Sequence, residues 1–176
     1  QFIVDETKAL EREGWDLDEI AVLYRSNAQS RVIEQSLFRS GIPYKIYGGL
    51  RFYERQEIKH ALAYLRLAVN PDDDNALLRV INFPPRGIGA RTIENLQTAS
   101  TEQGITLWQA ACNAGAKAAK VAAFVRLIEA LRNQVGQMPL PEIIVGILKD
   151  SGLTEHYRTQ KGDNQDRLDN LDELVN

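Results

Sequence analysis

What this 176-residue chain has little of narrows its chemistry before any motif is read. Its one cysteine, Cys112, excludes an internal disulfide and a cysteine-cluster metal site. Its two histidines, His60 and His156, stand too far apart in sequence to form a metal motif. No G-x-x-x-x-G-K-[ST] loop is present, so the chain carries no recognisable cradle for nucleotide hydrolysis. Asp18-Glu19 precede their apolar run instead of ending it, and Asp172-Glu173 fall in a helical pattern, so neither pair is placed to hold magnesium. No Ser, Cys or His constellation suggests covalent catalysis, and no catalytic residue is expected. Apolar runs stay well short of the roughly 20 residues that span a bilayer. The N-terminus also lacks a basic-then-apolar signal, so a cytoplasmic protein with no membrane partner is expected.

A strong positive charge is missing too: 21 Lys and Arg face 24 Asp and Glu, for a net charge of -3. That balance excludes a chain that coats nucleic acid indiscriminately, but the charge is unevenly placed. From Arg25 to Arg66 there are eight bases against three acids, a local +5; from Asp150 onward seven acids face three bases, a local -4. One region suits phosphate and the other does not. The chain begins at Gln1 and stops at Asn176 inside an apolar-periodic stretch (Leu168, Leu171, Leu174, Val175), which reads as a piece of something longer.

Along the chain, Phe2 to Gly14 has helical spacing, and Glu19 to Tyr24 is a short apolar run of the kind buried in a parallel sheet. A helix over Ala28 to Ser40 and a second short strand at Tyr44 to Tyr47 complete a βαβ pattern. Ligands sit at the carboxyl ends of such strands, where Arg25 and Asn27 fall: Arg25 as a phosphate ligand, Asn27 as a phosphate or base contact, a helix cap, or both. Gly48-Gly49 breaks the pattern, and helix follows from Glu54. Ile58, Ala61, Leu62, Leu65 and Val69 form its apolar face, with Arg55, Lys59 and Arg66 mostly opposite. Further helices are expected over 75–81, 91–103, 106–113, 116–135, 141–150, 153–160 and 164–175.

The stretch that organises the rest is Phe83-Pro84-Pro85-Arg86-Gly87-Ile88-Gly89-Ala90-Arg91-Thr92. The proline pair ends the preceding helix, and Gly87 and Gly89 can adopt dihedrals that a Cβ disfavours. A Gly-Ile-Gly turn into a helix leaves backbone N–H groups unpaired at the positive end of the helix dipole, a site for an anion. Arg86 and Arg91 flank the turn, Thr92 adds a hydroxyl, and Ile88 can plug into the core. Two other readings stand beside a DNA-backbone grip: a stand-alone helix-hairpin-helix-like DNA-binding module, and a helical protein-interaction domain whose glycines only make a turn.

Three stretches carry a resemblance: Ala21-Val22-Leu23-Tyr24-Arg25-Ser26-Asn27-Ala28-Gln29-Ser30-Arg31, Ile42 through Lys59, and Arg86-Gly87-Ile88-Gly89. Together they resemble the UvrD/PcrA/Rep DNA helicases of superfamily 1, over essentially the whole chain. The resemblance implies a 3′ to 5′ ATP-dependent DNA helicase acting in repair or replication, with two RecA-like motor domains and two inserted domains. Residues 1–50 would be part of motor domain 2A and residues 51–176 most of accessory domain 2B. The fold class implied is mainly α, a helical 2B domain after a partial α/β RecA-like segment.

ATP and magnesium would be cofactors of the parent protein and not of this piece, which would be no enzyme alone. By position, Arg25 and Asn27 would face single-stranded DNA. Gly87, Ile88, Gly89 and Thr92 would hold duplex backbone without reading sequence, with Arg86, Arg91 and Lys59 nearby. Gly48, Gly49, Leu50, Arg51, Phe52 and Tyr53 would form the connection about which 2B swivels to regulate unwinding. Repair proteins are further partners that the resemblance suggests. The family often has threonine before Arg-Gly-Ile-Gly, whereas this chain has Pro85 and so no hydroxyl there.

Overall fold

Helix is the dominant element of the computed structural model, which describes residues 2–24, 27–46, 52–161 and 164–175, apart from the side chains of Asn27, Ala28, Ala116 and Lys117. The chain divides into two units, Gln1–Arg55 and Gln56–Asn176.

In the first unit, α1 (Phe2–Arg12) and α2 (Asn27–Arg39) share a small apolar core. Val4, Leu37 and Ile42 are its buried members, with Leu17, Ile33 and Tyr44 packed against them. A 3-10 turn at Leu17–Glu19 is closed by the Glu19 carboxylate, which accepts from the Asp16 N–H at 3.2 Å. A second 3-10 turn, Phe52–Glu54, buries Phe52. The guanidinium groups of Arg31 and Arg55 lie 5.1 and 5.5 Å from its ring centroid, and Arg55 donates to the Ser30 hydroxyl at 2.6 Å. Arg55, expected on a solvent face, is therefore buried, because a planar cation can be covered when an aromatic face and a hydroxyl receive it.

The two expected strands are not formed: among the described residues there is no strand. Alternation and apolar runs decide which side chains can be buried, but a strand exists only through hydrogen bonds to a neighbouring strand. Neither Glu19–Tyr24 nor 44–46 has one here. Leu23, within the first run, is 93% exposed. The βαβ pattern is present as its helix alone.

The second unit is built around α3 (Gln56–Val69), against which α4 (Asp74–Val80), α7 (Ala119–Gln134), α8 (Leu140–Asp150) and α10 (Gln165–Val175) all pack. With neighbours on several sides α3 needs more than one apolar stripe. Ile58, Ala61, Ala63, Tyr64, Leu67 and Ala68 are buried, while Val69, assigned to the inner face by spacing, is exposed. Full burial of side chains such as Ile58 and Leu67 stabilises by about 1.5–3 kcal/mol each. Glu57 is buried as well, and its carboxylate accepts from Asn170 Nδ2 of α10 at 2.6 Å.

The remaining helices start and stop where local chemistry directs. Asp73 caps α4, its Oδ1 accepting from the Ala76 N–H at 3.0 Å while Oδ2 meets Arg66 at 2.6 Å. The Ala76 N–H and the Arg66 guanidinium hold the Asp73 carboxyl below its ordinary range. Helix α5 (Ala90–Gln103) ends at Gly104, which takes the left-handed φ of 63°. Thr106 then opens α6 (Leu107–Asn113) with a reciprocal box: its hydroxyl accepts from the Gln109 N–H at 3.1 Å, and Gln109 Oε1 accepts from the Thr106 N–H at 3.1 Å. A 3-10 turn at Gly115–Ala118 delays the start of α7, and α9 (Leu153–Thr159) follows α8. No helix of the described residues is long and apolar enough to cross a membrane.

Candidate nucleic-acid interface

The loop between α4 and α5 is held from beneath by two side chains. Asn82 is the first: its Oδ1 accepts from the Arg86 N–H at 2.9 Å and from the Ile88 N–H at 3.0 Å, folding the chain into a closed turn. Tyr64 is the second, fully buried on α3, its hydroxyl donating to the Phe83 carbonyl at 2.5 Å and lying 3.3 Å from that of Val80. Burial drives the Tyr64 phenol well above its ordinary pKa, so it remains a donor. The Phe83-Pro84 bond is cis, and Ile88 is buried with 1% exposure, seating the turn in the core as its apolar character predicts.

Arg86 points inward. Its Nη1 donates to the Pro84 carbonyl at 2.9 Å and approaches that of Val80 at 3.4 Å, while Nη2 donates to the Ser151 carbonyl at the end of α8 at 2.7 Å. The guanidinium carbon lies 5.6 Å from the Tyr64 ring centroid and 5.8 Å from that of Phe124. A group so engaged braces the loop. Arg91, by contrast, is exposed on the first turn of α5, with Thr92 half-buried beside it.

The two glycines differ. Gly87 has φ 71°, and a Cβ there would run into the Lys120 side chain of α7, whose ammonium donates to the Gly87 carbonyl at 3.3 Å. Gly89 has φ -79° and ψ 171°, dihedrals open to any residue, and a Cβ there would meet nothing within 4 Å. Gly87 is thus required by the backbone, whereas Gly89 leaves open space in front of the helix.

The Gly89 carbonyl receives both the Thr92 N–H at 3.0 Å and the Ile93 N–H at 3.2 Å. The N–H groups of Gly87, Gly89, Ala90 and Arg91 have no partner among the described residues. Those of Gly89, Ala90 and Arg91 stand at the start of α5, the positive end of its dipole. A cavity of about 610 Å³ between α5, α6 and the start of α7 has Gly87, Thr92, Asn95, Ala119 and Lys120 in its lining; of the four residues with unpartnered N–H groups, only Gly87 lines it.

Behind the loop, Phe83 sits between the two histidines. His60 stacks on it with ring centroids 3.8 Å apart, and His156 meets it edge-on at 4.8 Å. His60 Nδ1 lies 3.0 Å from the Tyr157 hydroxyl. Burial first, then the charges of Arg79, His156 and Arg167, lower the His60 pKa to about 4, and burial raises Tyr157 to about 12. Residues 96 apart in sequence are brought together, yet among the described residues no group of three or more His, Cys, Asp or Glu could hold a metal ion.

Lys59 is half-buried on α3, and no hydrogen bond or ion pair of the described residues joins it to the turn. Asn27 opens α2, its side chain lying outside the description. Arg25, Gly48, Gly49, Leu50 and Arg51 lie outside the described residues. Of the expected connection, Phe52 is buried and Tyr53 is exposed, their rings meeting edge-on at 5.1 Å. Asn82 and Lys120 escaped the sequence reading. An Asn four residues ahead of an Arg-Gly pair is a turn signal that points to the first; nothing local points to the second.

Comparison with known proteins adds the family. The model of the UvrD-like helicase C-terminal domain matches residues 1–176. The chain is 46% identical to DNA helicase II of Escherichia coli K12, 48% to DNA helicase II of Haemophilus influenzae, and 39% to ATP-dependent DNA helicase PcrA of Bacillus subtilis. Each match covers 99% of this chain and 25% of the relative, so the chain spans about a quarter of the curated relatives' length. With the family model matching from end to end, the chain belongs to the UvrD-like helicase C-terminal domain family.

Proposed function

We propose that this chain is part of an ATP-driven 3′ to 5′ DNA helicase of repair or replication, and that its own contribution is to grip DNA by the backbone. The names of the relatives, DNA helicase II and ATP-dependent DNA helicase PcrA, support the first statement. The observation that carries the second is the set of unpartnered N–H groups at Gly87, Gly89, Ala90 and Arg91, on a turn braced by Asn82 and Arg86 beside open space at Gly89. Backbone donors at a helix start bind phosphate without reading bases, so contact is sequence-independent and salt-sensitive. Each charge-assisted bond contributes about 1.5–3 kcal/mol, so a few of them give binding in the micromolar range or weaker.

In this reading residues 51–176 form the duplex-holding 2B domain, with Gly87, Ile88, Gly89, Arg91 and Thr92 at the contact and Arg86 supporting it. Residues 1–50 belong to motor domain 2A, where Arg25 and Asn27 face the single strand. Gly48 to Tyr53 is the swivel that regulates unwinding. ATP and magnesium act in the longer protein, and the residues present here do not fit that group: the sequence has no phosphate loop, and the described residues have no acidic or histidine cluster. Fluorescence anisotropy of the chain with tailed duplex, blunt duplex and single strand tests the grip. Duplex-containing DNA is expected to bind best at low salt. A folded chain that ignores DNA would instead favour a surface for a protein partner.

A further inference from the structure

The cation that serves the loop is not the one adjacent to it in sequence. Arg86 has its guanidinium among the carbonyls of Pro84 and Ser151 and over two aromatic rings. Lys120, on α7 and 33 residues beyond Gly87, reaches the same turn, with Nζ 3.3 Å from the Gly87 oxygen. Its ammonium has three donors and uses one of them, at long range, on this carbonyl. The side chain is exposed and lines the cavity together with Gly87 and Thr92. The end of the Lys120 side chain lies against the Gly87 Cα, in the space that a Cβ there would enter.

We propose that Lys120 is a phosphate-binding residue of this interface, a point charge set at Gly87, where the turn enters the helix start that carries the other unpartnered donors. The ligand class is a nucleic-acid phosphodiester, and the inference rests on the duplex grip proposed above. The 3-10 turn at Gly115–Ala118 places Lys120 in the first turn of α7. A lysine here adds affinity for any sequence and increases salt dependence.

The test is a salt titration of blunt-duplex binding by the 176-residue chain carrying Lys120→Gln, Lys120→Arg or Gly89→Ala, with circular dichroism as the check on folding. Lys120→Gln is expected to weaken binding about tenfold at low salt and to reduce the log–log salt slope by about one. Lys120→Arg is expected to restore both. An unchanged slope in folded Lys120→Gln, with Gly89→Ala still weakening binding, would overturn the lysine's role and leave the duplex grip standing. A folded wild-type chain with no affinity for duplex would remove the grip and this inference together.

Discussion

Asn82 Oδ1 lies 3.0 Å from the Ile88 nitrogen, close enough to hold the residue between the two glycines in place. The same oxygen accepts from the Arg86 N–H, so a single side chain replaces backbone partners that the turn cannot supply. Replacing Asn82 separates turn geometry from charge. Asn82→Ala strands two half-buried N–H groups and is expected to cost about 1–3 kcal/mol in urea denaturation. Asn82→Asp keeps the acceptor and most of the stability, but sets a negative charge against an incoming phosphate. Duplex affinity is expected to fall in Asn82→Asp despite a near-normal unfolding midpoint. Equal affinity of Asn82→Asp and wild type would mean that no anion approaches this turn.

The two glycines should respond differently. Gly87→Ala forces a left-handed φ on a residue with a Cβ, costing about 1–2 kcal/mol before the Lys120 side chain has moved. Gly89→Ala meets no steric conflict and changes stability by less than about 1 kcal/mol. Thermal denaturation checks both. If the space at Gly89 is where a phosphate sits, Gly89→Ala weakens duplex binding while leaving the melting curve nearly in place.

Arg86→Ala should behave as a folding variant. It removes charged hydrogen bonds to carbonyls, including that of Ser151, and is expected to lose about 1.5–3 kcal/mol in a denaturant titration. The salt slope of duplex binding by the folded fraction is expected to stay at the wild-type value, since this guanidinium is engaged by the chain's own carbonyls.

His60 gives stability a pH dependence whose sign is fixed. Its pKa is about 4 in the folded chain against the ordinary 6.5 of a histidine, so the unfolded chain binds the proton more readily. Its contribution is fully present above about pH 6.5, is lost as pH falls from there toward 4, and is flat below. Comparing urea midpoints of wild type and His60→Gln across that window isolates it from carboxylate titration. The expected result is a shallower pH dependence in the variant.

Much of the second unit was legible in sequence because its helix ends are written in local chemistry. Asp73, Thr106 with Gln109, and Gly104 each act on backbone groups within a few residues. The βαβ pattern misled because an apolar run such as Glu19–Tyr24 says nothing of a partner strand. The faces of α3 misled because one apolar stripe cannot describe a helix packed against four neighbours. At the loop, the motif pointed to the turn and the buried Ile88. It could not show that Arg86 turns inward toward Ser151, or that Lys120 arrives from another helix. Both depend on contacts between residues far apart in the chain.

The most direct measurement of the backbone grip is duplex affinity against salt for wild type and Gly89→Ala, with single-stranded DNA of the same sequence beside them. The account predicts sequence-independent binding that favours duplex, a slope corresponding to a few phosphate contacts, and a clear loss in the folded variant. Binding that is base-specific, insensitive to salt, or identical in Gly89→Ala would contradict it.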